Sequence, residues 1–175
     1  MSLKDLTAEK HKLAESTPFM KAIFDHCLPM DLWVDFTYQK YLWYREIELA
    51  AASHGLLDRL PGISRAQLIM NDYQTMVKDS LEYHTYKESV KDYVSYIRKL
   101  EDPKRILAHL YTWHMGDMFG GQMIKTMIPA PHTHLTFDNA KELMTTLRTM
   151  ITDDLADEAN TAFDWAIKIL SEYDV

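Results

Sequence analysis

Three glycines, Gly116, Gly120 and Gly121, fall inside a stretch from Pro103 to Ile128 whose apolar spacing otherwise reads as one amphipathic helix. A glycine within a helix costs roughly 1 kcal/mol against alanine, so three give up about 3 kcal/mol of the about 5–15 kcal/mol that holds a domain folded. A chain that keeps them must recover that energy elsewhere. Two arrangements do so. In one, the helix bends and its bare backbone lies against something large and flat that a Cβ would push away. In the other, the missing side chains let a second helix cross closely. The glycines alone leave both open.

The remaining punctuation also spells helices. Ser2 with Asp5 caps a first helix running to about Ala14, and Thr17-Pro18 supplies N-cap and first position of a short second one. A third starts near Asp31 and runs to His54, where Gly55 provides the stop. After the loop Leu60-Pro61-Gly62, Ser64 with Gln67 and Thr85 with Glu88 have capping-box spacing and predict two more starts. Asp102-Pro103 opens the glycine-bearing helix and Pro129-Ala130-Pro131 closes it. Two helices follow, around Asn139–Ile151 and Leu155–Tyr173, the latter with Ala159, Ala162, Phe163, Ala166, Ile167 and Leu170 on one predicted buried stripe. All six prolines sit at breaks and no segment alternates as a strand. The chain therefore reads as all-α, a single domain over residues 1–175.

Composition narrows the function classes. With 47% hydrophobic and 26% charged residues the chain has the balance of a soluble globular protein. No apolar run approaches the roughly 18 residues of a membrane span, and the start, Met1 to Asp5, lacks a signal-peptide core. The expectation is a cytoplasmic protein, or one of the host cytoplasm if phage-encoded, with no membrane anchor. A net charge of −7 argues against nucleic acid as a partner. The single cysteine, Cys27, has no partner at disulfide or metal spacing and is expected to be buried as an apolar residue. His11 and Glu15 share a helix face, where the carboxylate can accept a ring N–H and make the other nitrogen a better metal ligand; an exposed surface pair fits the same spacing. Asp117, between the glycines, is either solvated or an acceptor placed for water. His132 and His134, in a proline-rich loop, are expected to face solvent.

The segment Ala108-His109-Leu110-Tyr111-Thr112-Trp113-His114-Met115-Gly116-Asp117-Met118-Phe119-Gly120-Gly121-Gln122 resembles the distal-helix signature of the biliverdin-forming heme oxygenases, keeping its Ala-His-x-Tyr-Thr and Gly-Asp-x-x-Gly-Gly-Gln portions. His11-Lys12-Leu13-Ala14-Glu15 followed by Phe19-Met20 is similar to the family's proximal helix, and Ala159-Asn160-Thr161-Ala162-Phe163 to its last core helix. The resemblance implies a helical bundle with heme between a proximal helix and a kinked distal one. His11 would be the iron ligand, with Glu15 behind it. Tyr111, Thr112, Gly116, Gly120, Gly121 and Phe163 would contact heme, and Lys4, Lys141 and Arg148 would approach its propionates. The backbone at Gly116 and Gly120 would tilt bound oxygen toward one edge of the ring, and Asp117 would hold a water that delivers a proton to it. Heme would be cofactor and substrate at once, opened with dioxygen and electrons from an external donor to biliverdin, carbon monoxide and ferrous iron. Reduced ferredoxin is the implied donor, a basic rim of Lys4, Lys10, Lys12 and Lys141 its docking edge, and a bilin reductase a possible downstream partner.

The chain departs from that pattern at Trp113, where family members commonly carry arginine, and at Phe119, where a small residue is usual. These changes admit an alternative, a non-enzymatic heme carrier or sensor on the same fold. A thiaminase-like hydrolase would want an activated cysteine, and a di-iron oxidase several carboxylates and histidines in helical register; Cys27 lacks partners and Glu46 and Glu48 read as isolated.

Overall fold

The capping residues decide where most helices begin. Ser2 Oγ accepts from the Asp5 N–H at 3.3 Å while the Asp5 carboxylate accepts from the Ser2 N–H at 3.0 Å, starting α1 (Leu3–Glu15). Thr17 caps α2 (Pro18–Phe24), and Asp102 caps α6 (Pro103–Leu110), each ahead of a proline in the first turn. Between them run α3 (Met30–Ser53), α4 (Ala66–Val77) and α5 (Glu88–Arg98); α7 (Gly116–Met127), α8 (Ala140–Met150) and α9 (Ala156–Ser171) complete the chain. This computed structural model describes residues 1–78 and 84–175, which contain helices and turns and no strand. Gly55, at φ 70°, takes the left-handed conformation that ends α3.

Neither predicted capping box forms at Ser64 or Thr85. The N–H groups of Arg65, which precedes α4, and of Ala66, its first residue, donate instead to the Glu48 carboxylate on α3. At α5 the Lys87 N–H donates to Gln39 Oε1 at 3.2 Å, and the Ser89 N–H and hydroxyl to Glu172 at 3.3 and 2.8 Å. Long-range acceptors satisfy the orphan donors of both helix starts. Glu48 is thus an organising residue rather than an isolated one. Cys27 is exposed, contrary to expectation, because it lies outside the helices in the short link between α2 and α3.

Helix α3 runs through the middle, packed on α4, α5 and α6, and contributes Trp43, Tyr44, Ile47 and Ala51 to the core. Helix α9 packs on α1, α5 and α6 through Ala159, Ala162, Ala166, Ile169 and Leu170. Ile169 takes the place expected of Ile167, and Phe163 is only half-buried. The segment expected as one bent helix is three pieces. A single π-helical turn, Tyr111–Met115, joins α6 to α7, so the irregularity falls just ahead of the glycines.

Candidate functional site

A cavity of about 180 Å³ lies between α1 and α7. His11, Ala14 and Glu15 form its α1 side. Thr112 and Trp113 of the π-turn, with Gly116, Asp117, Gly120, Met123 and Ile124 of α7, form the opposite side. Met20, Ile23, Trp33, Phe36 and Leu135, with Phe163, Ala166 and Leu170 of α9, make the rest mainly apolar.

The glycines divide between the two explanations. A Cβ built on Gly116 or Gly120 meets no atom within 4 Å, so protein packing does not require glycine at either. At Gly121 the same Cβ falls 2.9 Å from Leu135 Cδ2, so this glycine makes room for the turn Thr133–Leu135. The close-approach account holds at Gly121, while Gly116 and Gly120 keep a cavity wall bare.

His11 is exposed, its Nε2 3.3 Å from Glu15 Oε1 and its ring edge-on to Phe163 at 5.5 Å between centroids. Asp117, by contrast, is buried and hydrogen-bonded through both oxygens. Its Oδ1 accepts from the Lys40 ammonium at 2.9 Å and its Oδ2 from the Tyr44 hydroxyl at 2.6 Å. Tyr44 also lies 3.1 Å from the Trp113 carbonyl. Burial raises the Tyr44 hydroxyl well above its ordinary value and the Asp117 charge pushes it further, so it remains a phenol that donates.

Lys40 and Tyr44 escaped the sequence reading because their partner is 77 and 73 residues away. A usable signal was present: Phe36, Lys40 and Tyr44 recur every fourth residue, placing a lysine on an aromatic helix face.

Behind the cavity, Trp113 Nε1–H donates to the Tyr93 hydroxyl at 2.9 Å, which lies 2.6 Å from His109 Nδ1; His109 Nε2 is 2.9 Å from Glu158. An indole nitrogen can only donate, so Tyr93 donates to Nδ1 and His109 donates through Nε2. Burial lowers the His109 imidazole below its ordinary value, in keeping with that neutral tautomer. His134, expected in solvent, is 1% exposed. Its Nδ1 lies 2.6 Å from Asp72 Oδ2, which ties the loop to α4, and its Nε2 is buried without a hydrogen-bond partner.

Of the residues named from the sequence, His11, Glu15, Thr112, Gly116, Asp117, Gly120 and Phe163 come together on the cavity wall. Tyr111 is half-buried beside it, and Lys4, Lys141 and Arg148 are exposed on α1 and α8; none of these four, nor Gly121, lines it. Lys10 is paired with Asp164 at 2.7 Å. Phe119 is half exposed. Among the described residues no group of three or more histidines, cysteines or carboxylates is placed to hold a metal ion, and no helix is long and apolar enough to cross a membrane.

The chain as a whole is similar to known proteins. The model of the heme oxygenase family matches residues 1–148. A protein of Guillardia theta named heme oxygenase is 26% identical over 135 residues, covering 71% of this chain and 56% of its own length. Rat heme oxygenase 2 is 25% identical over 202 residues, covering 98% of this chain and 64% of its own. The chain therefore spans under two thirds of the length of these two relatives. The crystal structure of heme oxygenase-1 from the cyanobacterium Synechocystis, in complex with heme, superposes with a TM-score of 0.85 at 23% identity, covering 97% of this chain and 89% of that one.

Proposed function

This chain belongs to the heme oxygenase family, and from that premise we propose that its cavity takes heme through His11 and that the protein opens the heme ring oxidatively. The residues present suit the group. An imidazole with a carboxylate one turn away is a good iron ligand. The open space over Gly116 and Gly120 is a cradle that any Cβ would intrude on. At about 180 Å³ the cavity is smaller than the roughly 300–1,000 Å³ of small-molecule sites, so seating a porphyrin requires its walls to give way.

Bound there, heme supplies both the iron chemistry and the ring that is consumed, giving biliverdin, carbon monoxide and ferrous iron with dioxygen and external electrons. The chain's own residues hold and orient. His11 ligates, and Glu15 fixes its ring by accepting the N–H of the nitrogen that does not ligate. Gly116 and Gly120 bring backbone to the heme face without side chains, and Phe163 packs against the His11 ring. The Asp117 carboxylate, held by Lys40 and Tyr44, orders water for proton delivery into the cavity. Reduced ferredoxin fits as donor, since the exposed Lys4 and Lys12 give α1 a basic edge on an acidic protein; its turnover should weaken as salt rises. A bilin reductase would take the product.

The observation that carries this reading is the pairing of His11 with two glycines whose bareness protein packing does not explain. The test is a hemin titration followed by one turnover with ascorbate in air. Stoichiometric uptake and the visible absorption of biliverdin are expected. Uptake with no biliverdin would make the protein a heme carrier, and no uptake would refute both.

A further inference from the structure

Among the described residues Lys40 is the only lysine or arginine on the cavity wall, and its side chain is 6% exposed. A buried ammonium is tolerated only where partners replace its water. Lys40 has two: Asp117 Oδ1 at 2.9 Å and the face of the Tyr44 ring, 5.0 Å from ammonium to centroid. Neither exhausts it. An ammonium carries three N–H bonds, and among the described residues Asp117 is its one hydrogen-bond acceptor. Asp117 in turn has both oxygens occupied, the second by Tyr44. The donor capacity left in this corner of the cavity therefore belongs to the lysine. It stands beside the bare backbone of Gly116 and Gly120, where no side chain competes for an incoming atom.

We infer that Lys40 is a binding residue of the cavity: its uncommitted N–H bonds donate to a small polar or anionic ligand held beside Asp117, while its ion pair fixes the Asp117 carboxylate. The assignment rests on the reading that heme occupies the cavity. It gives Lys40 two separable duties, positioning through Asp117 and direct donation to the ligand.

Fluoride on the ferric, hemin-loaded protein separates them, because a small anion at the iron is sensitive to a nearby cationic donor. Removing Lys40 alone would strand a buried carboxylate, so the comparison is made on an Asp117→Asn background. Asp117→Asn, with its lysine intact, should bind fluoride at least as well as the wild type. Lys40→Met/Asp117→Asn should bind it about ten- to a hundredfold more weakly, the loss of one hydrogen bond from a charged donor, both variants being read at full hemin loading and with equal helical content. The carbon monoxide stretching band of the reduced complexes should also move to higher frequency when the cation is removed. Equal fluoride affinity and an unmoved band in the two variants would overturn the role of Lys40 and leave the heme reading standing. Failure of the wild-type protein to take up hemin would overturn both.

Discussion

Replacing Gly120 by alanine should make the ligand-free protein more stable and its heme complex weaker. The residue is helical, and the new Cβ meets no atom within 4 Å. The full helix-propensity gain of about 1 kcal/mol is therefore collected without a clash. In a chain of 175 residues that corresponds to a rise of about 2–4 °C in melting temperature. Gly116→Ala should behave alike. Gly121→Ala should not, because its Cβ would sit 2.9 Å from Leu135 Cδ2 and overpacking of about 1–3 kcal/mol offsets the gain. With hemin the order reverses. A methyl group on the cavity wall opposes a flat macrocycle, and a clash of about 1–3 kcal/mol weakens binding by about five- to 150-fold. Thermal melts by circular dichroism with and without hemin, and a Soret titration, read both effects. A Gly120→Ala protein that binds hemin as tightly as wild type would refute the idea that the bare backbone serves a guest. One that melts lower would refute the open geometry itself.

His11→Ala should keep its helical circular dichroism and lose the axial-ligand signature in the Soret region; an unchanged spectrum would move the ligand assignment elsewhere. Asp117→Ala should still take up hemin through His11 but give at least tenfold less biliverdin in one turnover, and wild-type yield would remove Asp117 from proton delivery. Burial alone would raise the Glu158 carboxyl, but hydrogen bonds from His109, Tyr96 and Arg105 outweigh it and bring it from 4.5 down to about 2. A carboxyl depressed by folding stabilises above its unfolded value and loses that contribution as pH falls from 4.5 toward about 2. Urea midpoints should fall across that window, and Glu158→Gln should flatten the slope; an unaltered slope would show that Glu158 does not set it.

Local chemistry was legible in the sequence and distant chemistry was not. Ser2, Thr17, Asp102 and Gly55 act within three residues of themselves, and each does what its type implies. Ser64 and Thr85 carried the same kind of signal and were overruled, since Glu48 and Glu172 reach the same N–H groups from other helices. His134 looked solvated because nothing near it in the chain reveals Asp72, 62 residues earlier. In the site, His11, Asp117 and the glycines were visible as motifs. Lys40 and Tyr44 were hidden because ordinary periodicity makes them core positions of α3, and only folding brings them to Asp117. Lys4, Lys141 and Arg148 came from resemblance alone, with no local feature to support them.

The chain from Trp113 through Tyr93 and His109 to Glu158 has a fixed polarity. Every donor points away from the cavity, and the first member is an indole, which has no lone pair to receive a proton and does not release its own at ordinary pH. It is a conductor with a blocked end: protons can rearrange within it but cannot pass from bulk solvent into the cavity along it. That flank is insulated. Under the proposed function, acid for the cavity would therefore arrive from the side of Asp117 and not along this chain.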